Sequence, residues 1–260
     1  MNNDLFETFK MPGGVAGWRL PEISAPVDIA PIAASKAVLE ELGEMITAYR
    51  VGGPSRALSI AHLDAANAAI VAQVLGEGEV SVILGDGSDL SIQESVMPGL
   101  WHVVGKDCDY LEVADVPATV RAAIARQEQR EPQLPETLPE GTMNVLPVLA
   151  EIGDFAKSWT PGSVSREIVL TLLPMTPVDL DVLGQSLGQG EITLLSRGYG
   201  NCRVQSLGVR HVWRVTYFNS DDKMILDIIE VGDVPTAAVA AQEDIDDAQK
   251  RLSQIMEAYF

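Results

Sequence analysis

Cysteine is nearly absent from this 260-residue chain: Cys108 and Cys202 stand alone, without a Cys-x-x-Cys spacing. Histidine is almost as scarce, at His62, His102 and His211. Structural zinc takes four Cys or His ligands at close spacing, so the sequence offers no such site, and no metal or cofactor is assigned. Long apolar runs are missing too. Stretches such as Ala68–Leu75 and Ile168–Leu173 are far too short to cross a bilayer. The first residues, Met1-Asn-Asn-Asp-Leu-Phe-Glu, lack the basic-then-apolar pattern of a signal peptide. These absences predict a soluble, cytoplasmic protein without membrane insertion, its thiols reduced. Basic residues are few, 18 Lys and Arg against 37 Asp and Glu, for a formal net charge of −19. A phosphate backbone is repelled by such a surface, which argues against nucleic acid as a partner. The charge serves solubility, or it attracts a basic partner such as an arginine-containing peptide.

What the chain does have, it has twice. Leu75-Gly76-Glu77-Gly78-Glu79-Val80 returns 112 positions later as Leu187-Gly188-Gln189-Gly190-Glu191-Ile192, and Trp101 returns as Trp213. Glu112-Val113-Ala114-Asp115-Val116-Pro117 returns as Glu230-Val231-Gly232-Asp233-Val234-Pro235. So long a period predicts two copies of a folded module rather than a solenoid of short units. A feature present in one copy only is then a candidate for function.

The fold class expected is α/β in the α+β sense, an internal duplication of two similar modules. Residues 1–34, with Pro12, Pro21, Pro26 and Pro31, read as an extended arm. The first module covers 35–125 and opens with a helix at about 36–50, capped by Ser35. Val38, Leu42, Met45 and Tyr49 give that helix one apolar face, matched in the second copy by Val148, Ile152, Phe155 and Trp159. Residues 126–143, with Pro132, Pro135 and Pro139, read as a linker. The second module covers 144–260 and ends in a helix at about 236–259. Each copy is expected to run helix, strand, helix, several short strands and a closing helix.

Gly76-x-Gly78 and Gly188-x-Gly190 follow a helix and precede a strand. A dinucleotide fingerprint needs the reverse order, so these glycines predict helix caps and tight turns, not a phosphate cradle. Trp101 and Trp213 predict core anchors, and Gln93 and Gln205 predict ties between a strand end and a loop, all four supporting a site. The copies differ most where Ser196-Arg-Gly-Tyr-Gly-Asn-Cys-Arg203 stands against Leu84-Gly-Asp-Gly-Ser-Asp-Leu-Ser91. Arg197, Tyr199, Asn201, Cys202 and Arg203 are therefore candidates for partner contact, since Tyr and Arg are favoured interface anchors. Cys202 also reads as a buried thiol, because the first copy carries Leu90 there. Glu94 is a further contact candidate, as a receiver of a basic group. No catalytic residue is assigned.

Several of these segments resemble the HupH/HyaF family of hydrogenase expression and formation proteins. They are Gly76-Glu-Gly-Glu-Val80, Ile92-Gln-Glu-Ser95 with Gly99-Leu-Trp-His-Val103, Ser196–Arg203, Trp213-Arg-Val-Thr-Tyr-Phe-Asn219 and Glu230–Pro235. The resemblance runs from about residue 36 to the C-terminus. It implies an accessory protein for maturation of membrane-bound [NiFe] uptake hydrogenases. Its implied partners are the iron–sulfur small-subunit precursor, before export, and other hydrogenase accessory proteins. The twin-arginine signal peptide of that precursor is basic and matches the acidic composition read above. Two rival readings stand beside this chaperone role: an iron–sulfur carrier using Cys202, and a thiol enzyme.

Overall fold

In a computed structural model, residues 32–85, 87–128, 130–197 and 201–260 are described. The first half runs α1 (Ala33–Ala48), β1 (Arg56–Ser59), α2 (Ala65–Leu75), β2 (Val80–Leu84), β3 (Ser91–Glu94), β4 (Leu100–Gly105), β5 (Cys108–Val113) and α3 (Ala118–Arg126). The second runs α4 (Val145–Ser158), β6 (Arg166–Val169), α5 (Pro177–Leu187), β7 (Gln189–Ser196), β8 (Asn201–Leu207), β9 (Val212–Phe218), β10 (Met224–Val231) and α6 (Gln242–Tyr259). Short 3-10 turns lie at Leu170–Leu172 and Thr236–Ala238. The strands form one sheet in the order β1-β5-β4-β3-β2-β7-β8-β9-β10-β6, a sequence of neighbours that mirrors itself about β2 and β7. β2 and β7 join the halves by antiparallel pairing from Val80↔Ser196 to Leu84↔Ile192. This is a mixed fold of helices and antiparallel sheet.

The glycine pairs show why local sequence breaks the helices where it does. Gly76 and Gly188 cap α2 and α5 with φ of 57° and 67°, a left-handed region that costs a side chain energy. Gly78 and Gly190 serve close approach instead. A Cβ on Gly78 would stand 1.9 Å from the Ser95 carbonyl oxygen, and one on Gly190 would stand 2.2 Å from the Ser206 Oγ. Thr176 caps α5 in a capping box with Asp179, and Asp64 caps α2 by accepting from the Asn67 amide.

Three apolar clusters hold the layers. On one sheet face Trp101, Trp213, Val82, Ile92, Leu194 and Cys202 pack against Val120, Ala123 and Ile124 of α3 and against Ala238. This cluster is continuous across the junction of the halves. On the opposite face, α1, α2 and α6 cover Leu100, Leu111 and Val113 at one flank. At the other flank α4 and α5 cover Ile168, Ile229 and Val231.

The ends of the two halves cross over. After Pro235 the chain passes to the first half, where the Ala240 amide bonds the Asp115 carbonyl. There α6 buries Ile245, Ala248, Leu252 and Ile255 against α1, with Leu252 facing Gly43. In the other direction Pro132 lies against Gly153 of α4, and the Gln133 amide bonds the Ser186 carbonyl of α5. Arg121 of α3 links the two Asp-Val-Pro turns: its guanidinium bonds both oxygens of Asp115 at 2.9–3.0 Å and reaches Asp233 at 3.5 Å. Asp115 also receives the Tyr49 hydroxyl at 2.9 Å. Burial, ahead of the other influences, pushes the Tyr49 pKa up to about 12.

Two local expectations change. Ser35 does not cap α1; it lies inside the helix, its Oγ bonded to the Ile32 carbonyl and its amide to Asn67 Oδ1. The last helix begins at Gln242 rather than near 236, because after a 3-10 turn at Thr236–Ala238 the backbone is extended at Val239 and Ala241, where the chain crosses to the first half.

Candidate functional site

Residues opposite each other in an antiparallel ladder share a face, and neighbours along a strand alternate. Ser81 pairs with both Gln93 and Leu195, so the register can be followed without a break across the centre of the sheet. Gln93 pairs with His102, Leu195 with Arg203, Arg203 with Thr216, and Gln205 with Arg214. All of these point to the face that carries the flanking helices. Neither flanking cluster contains a residue of β2, β3 or β7. Among the described residues, a polar trough lies between the flanks.

The trough brings together the Gln93 and Gln205 amides, the Ser81 and Thr216 hydroxyls, the His102 ring, Arg203 and Arg214, with Leu195 among them. Arg214 grips Asp227 with two parallel bonds, Nε to Oδ1 at 2.9 Å and Nη2 to Oδ2 at 2.7 Å. These bonds raise the Arg214 pKa above the ordinary arginine value. His102 Nε2 stands 2.8 Å from Asp109 Oδ1, the matching place in the first half. Arg203 is half-buried, with its guanidinium 5.4 Å from the centre of the Phe218 ring, and burial lowers its pKa. The Gln93 amide donates to the carbonyls of Gly78, Val80 and Glu94, tying β3 to the turn that starts β2. The chemistry offered is hydrogen bonding and charge.

The sequence candidates divide between the two faces. Arg203, Asn201, Gln93 and Gln205 lie on the trough side. Arg197 is exposed just past the end of β7, and its amide bonds the Glu79 carbonyl. Tyr199 lies outside the described residues. Cys202 points to the opposite face, only 3% exposed, and burial pushes its pKa up to about 11. Glu94 is 5% exposed, and its Oε1 accepts from the Gly99 amide at 3.0 Å. Neither Glu94 nor Cys202 presents its side chain at the surface. Trp101 and Trp213 are each 1% exposed on the face opposite the trough, and Trp101 Nε1 bonds the Ala114 carbonyl. Sequence reasoning missed the His102–Asp109 and Arg214–Asp227 pairs. Strand alternation carried the signal, but which face stays open depends on where the helices land.

Glu94 gives the protein a specific pH dependence. Burial, followed by the nearby charges of Glu79 and Asp244, raises its pKa from 4.5 to about 7 despite the Gly99 hydrogen bond. Its folded value exceeds its unfolded one, so this stabilisation is complete below about pH 4.5 and is lost as pH rises through about 7. The loss is on the order of 3 kcal/mol. Urea midpoints of the parent protein are expected to fall between pH 5 and pH 8, and Glu94→Gln, neutral at both, is expected to fall much less. Parallel declines in the two proteins would refute the assignment.

The family model described as HupH hydrogenase expression protein, C-terminal conserved region, matches twice, over residues 32–138 and 142–259. A hydrogenase expression/formation protein, HupQ, of Azotobacter chroococcum mcd 1 is 42% identical over 268 aligned residues, covering 98% of this chain and 92% of its own. HupH of Rhizobium leguminosarum bv. viciae is 39% identical over 86% of this chain and 81% of its own. The hydrogenase-1 operon protein HyaF of Escherichia coli K12 is 31% identical over 78% and 73%. A solved structure, the hydrogenase expression protein HupH from Thiobacillus denitrificans, is 28% identical, with a TM-score of 0.42 over 44% of this chain and 96% of that one. With the family model matching almost the whole described chain, this protein belongs to the HupH family of hydrogenase expression proteins.

Proposed function

We propose that this protein is a non-enzymatic accessory factor in maturation of a membrane-bound [NiFe] uptake hydrogenase. It acts in the cytoplasm, binding the iron–sulfur small-subunit precursor and shielding it until export. The observation that carries the reading is family membership along nearly the full chain, with relatives named hydrogenase expression/formation proteins. The polar, half-exposed trough supports it, being lined with groups that bind rather than react. Among the described residues no helix is long and apolar enough to cross a membrane. We also read the chain as two copies of one module, 35–125 and 144–260, with an arm at 1–34 and a linker at 126–143. The double match of the family model and the mirrored strand order support this.

Contact is assigned to Arg197, Tyr199, Asn201 and Arg203, with Glu94 and Cys202 shaping the strands from within. The burial and raised pKa of Cys202 disfavour a thiol enzyme, since the thiolate is the reactive form. The test is affinity purification of the tagged protein from hydrogenase-producing cells, followed by mass spectrometry. Recovery of the small-subunit precursor with its signal peptide uncleaved is the expected result. Its absence where the precursor accumulates would remove the reading. Arg203→Ala and Tyr199→Ala are expected to fold normally and to capture about tenfold less precursor, the scale of a modest interface anchor. Unchanged capture by both would take this loop and strand out of the account.

A further inference from the structure

The fold itself does not explain the Arg203 guanidinium. Arg214, the neighbouring arginine of the trough, faces the Asp227 carboxylate at 2.7 Å, and the His102 ring stands 2.8 Å from Asp109. Arg203 has no acidic partner among the described residues, and its recorded contact is the Phe218 ring at 5.4 Å. A half-buried cation without a counter-charge loses hydration that the Phe218 ring offsets only in part. The sequence-matched positions in the first half carry Ser91 for Arg203 and Lys106 for Phe218. Cation and aromatic platform therefore occur together, and in one half only.

The surroundings narrow what completes the pair. β8 is hydrogen-bonded to β7 on one side and to β9 on the other, so an added main chain finds no free ladder there. Recognition has to come from side chains laid across the face. Asn201, whose Nδ2 reaches Asp222 Oδ1 at 3.5 Å, and Gln205 lie two residues to either side of Arg203 on β8 and share its face.

We propose that Arg203 receives a carboxylate, the side chain of an aspartate or glutamate carried by a partner polypeptide lying on the trough. The proposal rests on the partner-binding reading above and adds the chemistry of one contact. A planar guanidinium matches a carboxylate bidentately, and the Phe218 ring lies 5.4 Å from its central carbon. The chain as a whole carries a net charge of −19, so a basic partner is attracted over much of its surface without a fixed register. One acid-specific point supplies that register and disfavours segments lacking the acid.

The test is NMR of the full chain, following the Arg203 Nε–Hε signal, assigned by its loss in Arg203→Lys. The probes are the blocked tripeptides acetyl-Ala-Glu-Ala-amide and acetyl-Ala-Gln-Ala-amide, with the exposed Arg56 as internal control. The expected result is a saturable downfield shift of Arg203 with the glutamate peptide, several times that of Arg56, and no such shift with glutamine. A silent Arg203, or equal shifts at Arg203 and Arg56, overturns the proposal. Failure of the partner reading shows up separately. A responsive Arg203 in a protein that captures no small-subunit precursor keeps the receptor and removes the partner, and capture with a silent Arg203 does the reverse.

Discussion

Ending the chain at Ala241 is expected to unfold the first half while the second stays folded. Sequence order assigns α6 to the end of the second half, yet Ile245, Leu252 and Ile255 are each 1% exposed within the core built on α1 and α2. Burying three such side chains contributes roughly 5–9 kcal/mol. That approaches the whole stability of a small domain, so the remaining contacts of α1 are not expected to survive its loss. Hydrogen exchange with peptide-level resolution reads this directly. Protection should vanish in α1, α2 and β1 and persist in α4, α5 and β10, and a synthetic 242–260 peptide should restore it. Protection lost only around β9 and β10 would show that α6 belongs to the second half after all.

Gly78→Ala is the second large effect. The added methyl would meet the Ser95 carbonyl oxygen at 1.9 Å, and the Gly78 amide is already fixed at 2.7 Å to the Glu94 carbonyl. A backbone atom cannot rotate aside as a side chain can, so β2 and β3 must part. The cost is about 3 kcal/mol or more, at the upper end of overpacking penalties. Gly184→Ala makes the control. Nothing lies within 4 Å of its Cβ position, and it sits inside α5, so the change is expected to stabilise by up to about 1 kcal/mol. Thermal denaturation of the two variants should move in opposite directions. Equal, small shifts would refute the close approach at Gly78.

Much of the local structure was legible. Val38, Leu42, Met45 and Tyr49 fall at helical spacing, and all four are buried on one face of α1 and its C-cap. Gly76 and Gly188 end helices because a chain leaving a helix through the left-handed region needs no Cβ there. Trp101 and Trp213 are core residues, as their apolar neighbours indicate. The site was less legible. The Ser196–Arg203 difference placed its candidates along a single strand, but adjacent residues of a strand face opposite ways. Cys202 therefore went to the core and Arg203 to the trough.

The sequence by itself determined what short range controls: helix faces, the glycine C-caps, the place of the turns, and the family, because these depend on residue type and spacing within a few positions. Which helix closes which core was decided by tertiary structure alone. α6 and the 127–143 segment cross to the opposite halves, and an apolar stripe is satisfied by any apolar surface that fits it. The stretch of sheet that no described helix of the two flanks covers was decided the same way. Ser81, Gln93, Arg203 and Arg214 become one surface through the pairing of β2 with β7, more than a hundred residues apart in the chain. No local pattern encodes such a contact, because it is fixed only when both halves bury their faces together.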